Sequence, residues 1–143
     1  MATQADVRRI ARRQPGTEEA RTGFAFSVMN KGKAKGFVWV WMERMTPKAP
    51  RVANAGVVAI RVPNVAQRDL MIATDPRKFF TEPHYNGFPA VLVRLAEVTA
   101  ADLSALIPDA WRCVAPASEF AAESAAKKMP RKKSAGKSAK ERL

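Results

Sequence analysis

Residues 75–95 run D-P-R-K-F-F-T-E-P-H-Y-N-G-F-P-A-V-L-V-R-L, and their reading decides the fold. The stretch holds the single His (His84), the single Tyr (Tyr85) and three of the seven Phe (Phe79, Phe80 and Phe88). Asp75-Pro76 has the residue types of an N-cap followed by a first helical position, which predicts a short helical turn presenting Phe79 and Phe80. Proline-framed polar residues follow, then an apolar run over 89–96 that predicts a strand. A rigid, aromatic loop feeding a buried strand is more than a linker.

Upstream, residues 3–14 carry Val7, Ile10 and Ala11 at helical spacing, with arginines on the other faces and Thr3 as a candidate N-cap. Pro15-Gly16 ends that helix. Residues 23–29 and 36–42 predict two strands joined by the polar segment 30–35. In the second, Phe37, Trp39 and Trp41 share one face and Val38, Val40 and Met42 the other, so a central strand is expected, or one whose aromatic face meets a helix. Residues 43–56, with Pro47, Pro50 and Gly56, predict a loop; 57–62 predict a third strand. Asn64 with Gln67 predicts a capped helix over about 65–73, with core positions Val65, Leu70, Ile72 and Ala73. Thr99 caps a last helix carrying Leu103, Leu106 and Ile107, and Pro108 predicts a kink or restart before Trp111 and Val114.

Helix, hairpin, strand, helix, strand, helix, with short connections, predicts an α+β domain: a mainly antiparallel sheet with helices packed on one side. The chain has 143 residues. Residues 1–116 form the expected domain. Residues 117–143 are Ala-, Ser- and Lys-rich; 117–126 are expected to extend as a fraying helix and 127–143 to be a disordered basic tail. The net charge of +12 is uneven. Residues 127–143 hold eight Lys/Arg against one acid. A single cysteine, Cys113, and a single histidine exclude intrachain disulfides and the common zinc sites of a monomer. The longest apolar run, 37–42, falls far short of the roughly 20 residues of a spanning helix. A cytoplasmic monomer with no membrane partner, cofactor or metal is the expectation.

Three pieces, P-G-T-E-E at 15–19, the 75–95 stretch and A-W-R at 110–112, resemble the MmcQ/YjbR family over about residues 5–116. The resemblance implies a CyaY-like α+β fold and a DNA-binding role; it carries no catalytic residues over. The long 43–56 loop, Pro108 and the basic tail depart from the family pattern.

The candidate nucleic-acid-binding residues are Lys31, Lys33 and Lys35 at the hairpin tip, Arg77 and Lys78, and the tail residues Lys127, Lys128, Arg131, Lys132 and Lys133. Arg8 and Arg12 are candidates to extend the patch. Lysines protruding on a β-ribbon neutralise phosphates, though they also protect strand edges. Eight tail cations on duplex phosphates would give a log K against log salt slope of about −7. No base-reading motif is present, so non-specific, salt-sensitive binding by a non-enzymatic domain is expected. A candidate pocket groups Glu18, Glu19, His84, Tyr85, Asn86 and Trp111. For it the alternative function is an adaptor or small-ligand module around His84. Against it stand plain structural roles: a turn for Asn86-Gly87, a helix start for the paired acids, and the core for Trp111.

Overall fold

The computed structural model describes residues 1–44, 46 and 48–119. Helix α1 (Gln4–Arg12) begins in a capping box. Thr3 Oγ1 accepts from the Asp6 backbone N–H, and Asp6 Oδ2 accepts from Thr3 N. Such a cap is worth about 1 kcal/mol. Val7, Ile10 and Ala11 are its buried face.

Six strands follow in one antiparallel sheet: β1 (Thr17–Glu19), β2 (Ala25–Asn30), β3 (Lys33–Glu43), β4 (Val52–Arg61), β5 (Phe79–Phe80) and β6 (Ala90–Arg94). Their spatial order is β1-β2-β3-β4-β6-β5, with every pair antiparallel. Helix α2 (Val65–Thr74) links β4 to β5, and α3 (Ala100–Val114) closes the domain. The protein is thus an α+β domain. Helices α1, α2 and α3 each contribute side chains to the main core on one face, where Phe26, Phe37, Val38, Val58, Val91 and Trp111 are fully buried.

Four local expectations are corrected. The 43–56 loop ends early, because β4 starts at Val52. Residues 52–56 (V-A-N-A-G) hold a single branched residue, Val52, and their pairing with Trp41–Glu43 resumes past an irregularity at Val40/Trp41. There Asn54 Oδ1 accepts from Gly56 N at 2.9 Å. Second, Phe37 does not share a face with Trp39 and Trp41. The register shifts between Phe26 and Ser27, so that Phe26 pairs with Val38 and Ser27 with Gly36. Phe37 is the extra residue of this bulge and joins Val38 and Val40 in the main core. Third, Asp75 is the C-cap of α2, and Phe79 and Phe80 form an edge strand after a turn. Phe79 packs on the main core and Phe80 on the opposite face. Fourth, α3 runs unbroken through Pro108.

Helix α2 also departs from its expected face. Asn64 caps it as anticipated, accepting from Gln67 N at 2.7 Å. Leu70, however, is 61% exposed, and the buried residue is Arg68. Its Nη1 donates to the carbonyls of Tyr85 (2.8 Å) and Phe88 (3.2 Å), while its Nε meets Asp69. Arg68 therefore fastens the 75–95 loop from beneath. Each of these carbonyls also accepts a backbone N–H, from Phe88 at 2.9 Å and from Ala90 at 2.8 Å, so the guanidinium adds a second, charged donor to both and ties α2 to the loop.

Among the described residues the second face of the sheet is covered by that loop and by no α-helix. Tyr85, in a 3-10 turn (Pro83–Tyr85), packs with Val57, Ala59, Ala90 and Leu92, and Trp39, Trp41 and Phe80 lie against them. The aromatic face of β3, expected to meet a helix if not central, meets this turn instead. The strand is central as well, third of six.

Candidate functional site

The β2–β3 connection is tighter than the segment 30–35 suggested. Asn30 pairs with Lys33, leaving Lys31 and Gly32 as a two-residue turn with φ of 55° and 79°. Two positive φ values match the twist of a hairpin, as in a type I′ turn. Gly32 suits its position. Lys31 is the sole non-glycine residue with positive φ among the described residues.

The extra strand length points Lys33 and Lys35 along one face of β3. Lys35 pairs with Val28 and Lys33 with Asn30, so these side chains project on the helix side of the sheet. Asn30 Nδ2 donates to Val114 O at 2.8 Å, tying the tip to the last turn of α3. An open cleft of about 340 Å³ is lined, among the described residues, by Asn30, Lys31, Lys33 and Lys35. None of these three lysines has an ion-pair partner among the described residues. The carbonyl end of α3 nearby favours positive charge there.

The other candidate cations stand elsewhere. Arg77 pairs with Glu97 at 3.3 Å, and Lys78 bridges Asp75 and Asp102 at 3.6 and 3.5 Å. Asp102 lies in the first turn of α3 and Val114 is its last residue. At 1.5 Å per residue the two positions are about 18 Å apart along the helix. Arg77 and Lys78 therefore do not join the lysine cleft. Arg8 and Arg12 are both engaged by Glu19, at 3.0 and 2.6 Å. Lys127, Lys128, Arg131, Lys132 and Lys133 lie outside the described residues.

The candidate pocket residues do not converge. Glu18 and Glu19 lie on strand β1 rather than at a helix start, and they point to opposite faces. Glu19 turns to the arginines of α1, and the Arg12 guanidinium holds its carboxyl below the ordinary value. Trp111 is fully buried and donates its indole N–H to Pro15 O at 2.9 Å. Tyr85 is buried, and its hydroxyl accepts from Trp39 Nε1 at 2.9 Å. Burial pushes the phenol's pKa up. His84 and Asn86 are exposed beside it, with the imidazole edge-on to the Tyr85 ring. Among the described residues no group of three or more His, Cys, Asp or Glu could hold a metal ion. No helix among them is long and apolar enough to cross a membrane.

A cluster outside the candidate residues occupies the second sheet face. Arg61 lies over the Phe88 ring at 5.2 Å and Arg94 over Phe80 at 4.2 Å. Glu82 Oε2 accepts from Trp41 Nε1 at 2.7 Å and faces Arg51 at 3.6 Å. The signal was the alternation Ala59/Arg61 and Leu92/Arg94, which gives each strand an arginine on its aromatic face.

No family model matches the chain. A stretch of 74 residues is 40% identical to the uncharacterized protein Rv2570 of Mycobacterium tuberculosis (strain ATCC 25618 / H37Rv). The same figures hold for the uncharacterized protein Mb2600 of Mycobacterium bovis. The match covers 52% of this chain and 57% of either relative, so the chain spans little more than half the length of these curated relatives. Among solved structures, protein DR2400 of Deinococcus radiodurans, a DUF419 domain, is similar at a TM-score of 0.57 and 18% identity. That likeness covers 78% of this chain and 77% of the other, and it shows a shared fold.

Proposed function

We propose that this domain binds nucleic acid without reading base sequence, through phosphate contacts at the lysine hairpin. The observation that carries this is the open cleft of about 340 Å³ walled by Lys31, Lys33 and Lys35 with no carboxylate among its described lining. Unpaired ammonium groups at a protruding tip are free to displace counterions from phosphates, which is the main source of non-specific affinity. The eight cations of residues 127–143 add to the same attraction. We further propose that the chain belongs with the MmcQ/YjbR-like proteins, on the strength of its 75–95 stretch and of the DUF419 neighbour.

The test is a titration of labelled duplex at several salt concentrations. Full-length protein is compared with a form ending at residue 126 and with Lys31, Lys33 and Lys35 replaced together by Gln. Each phosphate contact removed should flatten the log K against log salt slope by about 0.9. The triple substitution should therefore cost about 2.7 of slope if all three contacts are made. An unchanged slope in the triple variant removes the hairpin from the account, and an unchanged slope in the truncated form removes the tail.

A further inference from the structure

We propose that Phe88 and Arg61 form a stacking station for an unpaired nucleobase, so that the domain prefers single strands to duplex. This rests on the nucleic-acid reading given for the lysine hairpin, and it concerns a different surface. Phe88 is 41% exposed although its ring packs in T-shaped contacts with Trp39 and Tyr85, at centroid distances of 6.2 Å each. Those two rings are themselves fixed by the Trp39–Tyr85 hydrogen bond, and the loop carrying Phe88 is fastened by Arg68. An exposed aromatic ring on a rigid support stacks a base at little entropic cost.

Arg61 supplies the charge. Its guanidinium rests on the Phe88 ring, its Nε is buried without a hydrogen-bond partner, and it has no ion-pair partner among the described residues. A guanidinium over an aromatic ring keeps donors free for a neighbouring phosphate. The position is also right. Ile60 pairs with Val38, so Arg61 stands beside Phe37, two residues along β3 from Lys35, on the sheet face opposite the one on which Lys33 and Lys35 project. The flank between is low, since Gly36 has no side chain and the Trp39 ring lies 3.4 Å from where its Cβ would be. In this proposal a single strand bends over the hairpin end of the sheet, with the lysines on one face and the Phe88–Arg61 pair on the other. A duplex keeps its bases stacked inside and gains only from the cations.

The experiment measures affinity of full-length protein for labelled oligo-dT, for an abasic strand of equal length, and for duplex, at one salt concentration. Phe88→Ala and the shape-keeping Phe88→Leu should both weaken oligo-dT binding by about 5- to 100-fold, the range for losing one base stack. Binding of the abasic strand and of duplex should be unchanged. Arg61→Gln should weaken both single strands. Equal losses on all three probes, or none on oligo-dT, overturn the proposal while leaving the lysine reading in place. An acidic peptide that binds wild type, loses affinity on Arg61→Gln and outcompetes oligo-dT at this face would also overturn it. Wild-type protein that binds none of the three probes overturns both readings together.

Discussion

Lys31 shows how one residue can set turn geometry against surface chemistry. At φ 55° it occupies the left-handed region, where Gly and Asn are at home and a lysine side chain is strained by about 1–2 kcal/mol. Asn-Gly is the preferred pair for this turn, so Lys31→Asn should leave stability unchanged or raise it in urea denaturation, while lowering nucleic-acid affinity. A variant that loses stability and keeps its affinity contradicts both the turn assignment and the role given to the cleft. At this scale the sequence was partly legible. Thr3, Asn64 and Thr99 were recognisable as caps, because a cap needs only neighbours within three residues. The burial of Arg68 was not, since its partners, the carbonyls of Tyr85 and Phe88, lie 17 and 20 residues away. No local pattern announces that an arginine rather than Leu70 faces inward.

Among the elements, α3 carries the clearest tension. Its capping box, in which Thr99 and Asp102 exchange hydrogen bonds, starts it firmly, and Leu103, Ile107, Ala110, Trp111 and Val114 are buried along one side. Pro108 stands in the middle of these 15 residues, without an N–H to give. Propensity alone predicts interruption there; the burial of Trp111 on one flank and Leu103 on the other holds the helix together. Tertiary packing has overridden a local preference of about 3 kcal/mol. Pro108→Ala should accordingly stabilise the domain by about 1–3 kcal/mol, seen as a higher midpoint in thermal unfolding. A lowered midpoint would mean that Pro108 fills its site better than a restored hydrogen bond can. The bulge at Phe37 has the same lesson for strands. Period-two counting placed Phe37 with the tryptophans, and one inserted residue moved it to the other face.

For the whole molecule, three carboxylates tie helix starts and edges to the rest. Backbone hydrogen bonding from Thr3 lowers the Asp6 pKa, Arg12 lowers that of Glu19, and Thr99 lowers that of Asp102, with Lys78 assisting. A carboxyl whose folded pKa lies below its unfolded one binds fewer protons when folded. Its stabilisation is therefore complete above the ordinary values of 3.8 for Asp and 4.5 for Glu, and is lost as pH falls through the depressed ones. Thermal midpoints measured across acid pH should drop between about pH 5 and pH 2, and Glu19→Gln should make that drop shallower. The α+β class and the antiparallel sheet were readable from the order of elements. The candidate site was less so, because convergence of Arg61 with Phe88, and separation of Arg77 from the lysines, are properties of three dimensions. One link has a wider effect. Asn30 holds the hairpin tip against Val114, and five residues later the carboxylate of Glu119 sits so close to Gly16 that a Cβ there would stand 2.6 Å from it. Thr17 pairs with Val28 and Val28 with Lys35, so Glu119, the last described residue, lies toward the end of the domain that bears the lysine cleft. Were both the cleft and residues 127–143 to grip phosphate as proposed, the second engagement would be intramolecular. Such pairing can raise overall avidity by about 10²–10⁴ over either grip alone. The hydrogen bond of one asparagine would then govern how strongly the hairpin and the C-terminal segment cooperate.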